Sequence, residues 1–188
     1  MKRSIQQSKE GQMLLEQKKM ILQKELEKYK EQKRNLQETG KGLIEEAYHA
    51  LKLANVEIGI DDMMNISEGI KIDNDLDIKY KTIMGVEIPS VVMPKMEKPT
   101  INYGLYNTTF SVDETILKFR KVKQYILELA QIENIMFRLE KNIEKVQRRS
   151  NALKEIIIPT DEKIAREIQN ILDENEKVKE PKTLGKAI

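Results

Sequence analysis

VKQYILELAQIENIMFRLEKNIEKVQRRSNALKEII, residues 122–157, decides the fold. Apolar residues recur at alternating steps of three and four: Val122, Tyr125, Leu129, Ile132, Met136, Leu139, Ile143, Val146, then Ser150, Leu153 and Ile157. Ten of these eleven positions are apolar. A 3.5-residue period held over five heptads marks a helix that keeps one stripe against a partner helix, with Lys, Arg and Glu on the solvated faces.

The pattern extends in both directions. Upstream, Asn107, Thr108 and Thr109 read as a loop, and Ser111 with Glu114 has the spacing of a capping box. Downstream the seven-residue register runs on through Ile164, Ile171 and Val178, across Pro159. A proline removes one helical hydrogen bond and pushes the chain aside, so Pro159 is expected to bend this helix without ending it. Helical from Val112 to Val178, the element would be roughly 100 Å long at about 1.5 Å per residue.

The N-terminal arm carries a second stripe. Leu15, Leu22, Tyr29, Leu36, Leu43 and Ala50 are spaced by sevens, with Leu26, Ala47 and Ala54 on the adjoining row and Lys19, Lys33 and Gly40 interrupting it. Two stripes joined by a compact middle predict an antiparallel two-helix coiled coil folded back on itself. The expected fold is mainly α. Its regions are an N-terminal helix over 1–55, a middle segment over 56–110 and a C-terminal helix over 111–188. In the middle, Pro89, Pro94, Pro99 and several glycines exclude a long helix. Ile70, Ile72, Leu76, Ile78 and Tyr80, then Val86 and Ile88, alternate with polar residues as in a short β-hairpin, with Asp73, Asn74 and Asp75 as turn residues.

Composition agrees with long solvated helices. Of 188 residues, 34% are charged and 5% aromatic, with no Trp and no Cys. Without cysteine, no disulfide framework or thiolate metal site can form. No apolar run is long enough to span a bilayer, so no direct membrane insertion is expected and a cytoplasmic location is. Lys and Arg outnumber Asp and Glu by 12 to 8 over residues 1–55 and 16 to 14 over 111–188, but trail 5 to 9 over 56–110. Two weakly basic arms around an acidic middle lack the dense basic stripe of a nucleic-acid binder.

Motifs of chemistry fail on inspection. Asp73, Asp75 and Asp77 have the opening spacing of a calcium loop, but Ile78 and Met84 stand where Gly and Glu are required. Thr39, Gly40, Lys41 and Gly42 hint at a phosphate loop, but Asn35 replaces its first Gly and the heptads run straight through. Two glycines there read as flexibility or close helix packing. His49 is the only histidine, so no multi-histidine site can be built, and no cofactor is expected. On the residues alone the chain is a scaffold or a mechanical part.

The stretch AQIENIMFRLEKNIEKVQRRSNALKEIIIP, residues 130–159, resembles the signature region of the central-stalk D subunits of V-type and archaeal-type rotary ATPases. The matching residues are Arg148, Arg149, Asn151, Ala152, Leu153, Ile156, Ile157, Ile158 and Pro159, with Ser150 where a seam hydrophobe is usual. Gly11, Leu14, Leu15, Lys18, Lys19 and Leu22 resemble the family's N-terminal helix, and Met84, Gly85, Val86 and Pro89 its middle-segment signature. The resemblance implies a non-catalytic rotor axle carrying torque between an ATP-hydrolysing or ATP-synthesising hexamer and a membrane ring that moves protons or sodium ions. Its implied partners are the catalytic and regulatory hexamer, a small central-stalk F subunit and a socket subunit on the ring, placing it peripheral to the membrane. Arg148, Arg149 and Asn151 are the hexamer-contact candidates, since paired guanidinium groups offer fixed forks to carboxylates. The acidic middle is expected near the F subunit or the socket. The competing class is a prefoldin-like coiled-coil holdase or a structural tether, which would bind unfolded clients or carry no motor.

Overall fold

The computed structural model describes residues 2–70, 76–92, 104 and 108–179, without the side chains of 177–179. Its elements are α1 (Lys2–Ile58), α2 (Ile60–Gly69), β1 (Asp77–Ile83), β2 (Val86–Val92), α3 (Phe110–Ala152), a π-helical turn (Leu153–Ile157) and α4 (Ile158–Lys179). The fold is mainly α, with long N- and C-terminal helices and a small antiparallel sheet between them. The expected turn at Asp73, Asn74 and Asp75, together with Ile72, Pro94, Pro99, Asn107 and the side chain of Val178, lies outside the described residues.

The chain divides into two units. In the unit formed by residues 25–140, α1 and α3 lie antiparallel. Lys33 pairs with Glu133 at 2.8 Å, Gly40 meets the ring of Tyr125, Tyr48 meets Phe119 edge to face at 5.7 Å, and Ser111 donates to Glu57 at 2.6 Å. Each step forward on α1 is matched by a step back on α3. The core here contains Leu26, Ala47, Ala50, Ala54, Val112, Val122, Tyr125, Ile135 and Leu139. Ala47, Ala50 and Ala54 of α1 are buried, and side chains this small leave room for a neighbouring helix to pack closely.

The start of α3 corrects the capping-box expectation. α3 begins at Phe110, Ser111 is already inside it, and its hydroxyl goes to Glu57 while Glu114 pairs with Lys118 at 2.8 Å. A carboxylate from the neighbouring helix wins the hydroxyl because a charge-assisted bond is stronger than a neutral cap. The Ser111 bond holds the Glu57 carboxyl below its ordinary value.

Between α1 and the sheet, Gly59 takes φ 88°, a left-handed conformation that separates α1 from α2. Asp61 and Asp62 sit in the first turn of α2, where negative charge is favoured by the helix dipole. The hairpin turns at Met84 and Gly85, both at positive φ (49° and 79°), which is the two-residue turn whose twist matches its strands. The Gly85 of the middle-segment signature thus has a backbone reason.

In the other unit, residues 1–24 and 141–188, α1 again lies antiparallel to the C-terminal helices: Lys9 pairs with Glu162 at 2.7 Å and Ser150 donates to Glu16 at 2.6 Å. Leu22 and Val146 are buried there.

Pro159 does not end the helix. Ile158, although followed by proline, keeps φ −59° and ψ −49°, and its N–H donates to the Leu153 carbonyl five residues back. The widened turn accommodates a ring that would otherwise strike the carbonyl four residues earlier. It also corrects the expected continuation of the seam. One extra residue rotates the following side chains by about 100° at 3.6 residues per turn. Ile157 and Ile164 are 41% and 38% exposed, while Asp161, Glu162 and Ala165 become half-buried. Further along, Ile171 is 57% exposed and Leu172 beside it 52%.

Candidate functional site

The expected seam residues fall into three groups. Leu22, Val122, Tyr125, Leu139 and Val146 are buried; Leu15, Tyr29, Leu36, Leu43, Leu129, Ile132, Met136, Ile143 and Leu153 are half-buried or at the seam's edge; Ile157 is exposed. Burial pushes the Tyr29 hydroxyl above its ordinary pKa, with Glu25 adding to the effect. Ile135 is buried although the strict heptad passes beside it. An α-helix at 3.6 residues per turn drifts against a 3.5 period, so the buried stripe steps from one row to the next.

At the signature segment, Arg148, Arg149 and Asn151 are all exposed. Arg148 pairs with Glu144 one turn earlier, and Gln147 Nε2 donates to the side-chain Oδ1 of Asn151 at 2.6 Å. The three side chains project from the helix into solvent. Pro159 is exposed as well, and α4 leaves Ile164, Ile168, Ile171 and Leu172 uncovered along one face.

Ser150, in the middle of that segment, is only 1% exposed. Its hydroxyl donates to Glu16 Oε1 at 2.6 Å, and Lys19 Nζ approaches Glu16 Oε2 at 2.9 Å. A hydroxyl buried in a seam costs stability unless bonded, and here it is bonded to a charge. One polar residue at a seam position opposes axial slippage, because a shifted register would bury it without a partner. Sequence spacing marks Ser150 as the odd position but carries no sign that Glu16, far away along the chain, completes it.

The Ser150 hydroxyl, and after it Lys19, holds the Glu16 carboxyl below its ordinary value of 4.5, and Lys9 does the same for Glu162. A depressed folded-state pKa contributes stability above the unfolded pKa and loses it as pH falls through the folded value. Thermal melting followed by circular dichroism should therefore show a midpoint falling as pH drops below about 4.5. Glu16→Gln should lower the midpoint near neutrality and flatten that acid dependence; an unchanged slope would remove Glu16 from the account.

The middle-segment signature divides by role. Met84 and Gly85 form the turn, while Val86 and Pro89 are buried with Ile88. Gln131 and Arg138 of α3, which sequence spacing does not single out, reach the sheet: Gln131 accepts the Val91 N–H at 2.8 Å and Arg138 donates to the Glu87 carbonyl at 3.2 Å. Among the described residues no cluster of three or more His, Asp or Glu side chains is placed to hold a metal ion, and no helix is long and apolar enough to cross a membrane.

Comparison with known proteins gives a concordant result. Residues 1–179 match the family model for the ATP synthase D subunit. The V-type ATP synthase D subunit of Thermotoga neapolitana is 33% identical over 177 residues, covering 94% of this chain and 87% of that one. The A-type ATP synthase D subunit of Pyrococcus horikoshii is 37% identical over 136 residues, 71% of this chain and 64% of that one. That of Thermococcus kodakarensis is 31% identical over 179 residues, 94% and 84% respectively.

Proposed function

The chain belongs to the ATP synthase D subunit family, and from that premise we propose that it is the central rotor axle of a V/A-type ATPase or ATP synthase. It carries torque between the nucleotide-binding hexamer and the ion-translocating membrane ring. Its part is mechanical: the hexamer performs the nucleotide chemistry, and the axle sets which interface is open at each angle. A small F subunit and a socket subunit complete the stalk, which holds the axle peripheral to the membrane.

The observation that carries this reading is the antiparallel pairing of α1 with α3 in one unit and with the C-terminal helices in the other. Two helices locked along a seam resist bending and twisting better than one, which is what a torque-carrying part requires. Arg148 and Arg149 stand in the second of these units, exposed and with no part in the core. A rotor must also leave each angle easily, and exposed ion pairs worth about 0 to 1 kcal/mol let it do so.

Replacing both arginines by Ala should leave helicity and melting nearly unchanged, because neither supports the core. Coupling of ATP hydrolysis to ion transport in the reassembled complex should fall severalfold. Unchanged coupling would remove the arginines from the hexamer interface. Copurification as one copy with a six-membered ring and a small partner tests the axle itself; suppression of aggregation of an unrelated protein by the free chain would favour a holdase.

A further inference from the structure

The two-stranded sheet has two outer edges, and two side chains of α3 reach one of them. The two-residue turn makes Ile83 and Val86 the closing hydrogen-bonded pair, and the pairing continues as Lys81 with Ile88, Lys79 with Ser90 and Asp77 with Val92. Ladder bonds alternate along an antiparallel pair, so Glu87, Pro89 and Val91 turn their backbone polar groups away from β1. These groups are what an unprotected sheet edge exposes.

Two of the outward groups are taken by α3, and a third donor is absent. The Glu87 carbonyl accepts from Arg138 Nη1 at 3.2 Å, and the Val91 N–H donates to Gln131 Oε1 at 2.8 Å. Pro89, between them, has no N–H to leave unsatisfied. Gln131 and Arg138 are two helical turns apart on one face of α3, about 10 Å at 1.5 Å per residue. Glu87 and Val91 are about 13 Å apart along an extended strand, a difference these long side chains span. Arg138 does more than donate: its guanidinium lies over the Tyr80 ring of β1, 5.5 Å from the centroid, and its Nε donates to Asn134 at 3.0 Å. One side chain therefore touches both strands and is itself aimed from α3.

We infer that Gln131 and Arg138 form a two-point clamp that fixes the hairpin to α3 as a rigid arm. An isolated two-stranded hairpin is marginal in water, so its order depends on what it is fastened to. The proline that reads in sequence as a strand breaker fits because the clamp side is the one place where a missing N–H costs nothing. Within the axle reading, a clamped hairpin turns with the helices and presents the same surface at every angle; a hinged one would lag. The clamp itself stands without that reading.

Hydrogen exchange on the full chain tests it, with Gln131→Leu and Arg138→Leu combined and Gln131→Glu alone as the conservative variant. The double variant should exchange the ladder amides of Lys79, Lys81, Ile88 and Ser90 about tenfold faster, and most clearly that of Val91, with the amides of α3 unchanged. Gln131→Glu keeps an acceptor and should keep the Val91 amide protected. Full protection in the double variant, or equal deprotection by Gln131→Glu, would overturn the clamp. If the double variant loses helicity, Gln131→Leu against Gln131→Glu at the Val91 amide decides the matter. A confirmed clamp whose loss leaves ATP hydrolysis by the complex unaltered would count against the hairpin's part in the axle, and not against the clamp.

Discussion

Leu139→Ala is expected to lower stability by about 2 to 5 kcal/mol, the range for truncating a fully buried leucine whose surroundings only partly collapse. Leu139 has no exposed surface, and it lies in the unit where α1 and α3 pack along their seam. The informative control is Ile126→Ala. Isoleucine is a hydrophobe of the same size, but Ile126 is 52% exposed on the same helix. Its loss should change stability by less than about 1 kcal/mol, in line with surface substitutions generally. Chemical denaturation followed by circular dichroism separates the two. Comparable losses would mean that the seam is not where α3 is held.

Gly40→Ala should be destabilising although it replaces the poorest ordinary helix former by the best. Helix propensity alone favours alanine by about 1 kcal/mol. A Cβ at residue 40, however, would lie 2.0 Å from Tyr125 Cε2 and 2.1 Å from Cζ. Tyr125 is buried, so its ring must leave a packed site to make room, and overpacking of this kind costs about 1 to 3 kcal/mol. Gly42, with nothing within 4 Å, is the counter-case: Gly42→Ala should stabilise by up to about 1 kcal/mol. Combining Gly40→Ala with Tyr125→Ala removes the obstacle, so on that background the alanine should become neutral or favourable. A double-mutant cycle without such a sign change would show that the contact does not set the approach of the helices.

These two positions show how far the sequence could be read. Heptad spacing predicts that Leu139 lies on a buried stripe, and the structure buries it. For Gly40 the sequence leaves flexibility and close packing both open, and only the ring of Tyr125 chooses packing. The same limit applies to the polar residues. Ser150 is conspicuous by its position, but Glu16, Gln131 and Arg138 look like any solvated residue of a charged helix. Their partners lie across the chain, and no local pattern encodes them.

By itself the sequence determined the helical arms, the presence of a small hairpin between them and the family, because hydrophobic period, strand alternation and the Arg148 to Pro159 signature are local and survive without coordinates. The hairpin's turn at Met84 and Gly85 came from the structure. Tertiary structure alone decided which rows of the stripe are buried, since that depends on the neighbouring helix as well as on period. It also decided that Pro159 is absorbed by a widened turn, which rotates Ile157 and Ile164 toward solvent instead of keeping them in phase. A proline in sequence announces a lost hydrogen bond, but where the displaced carbonyls find new donors is settled by the packing of the whole turn.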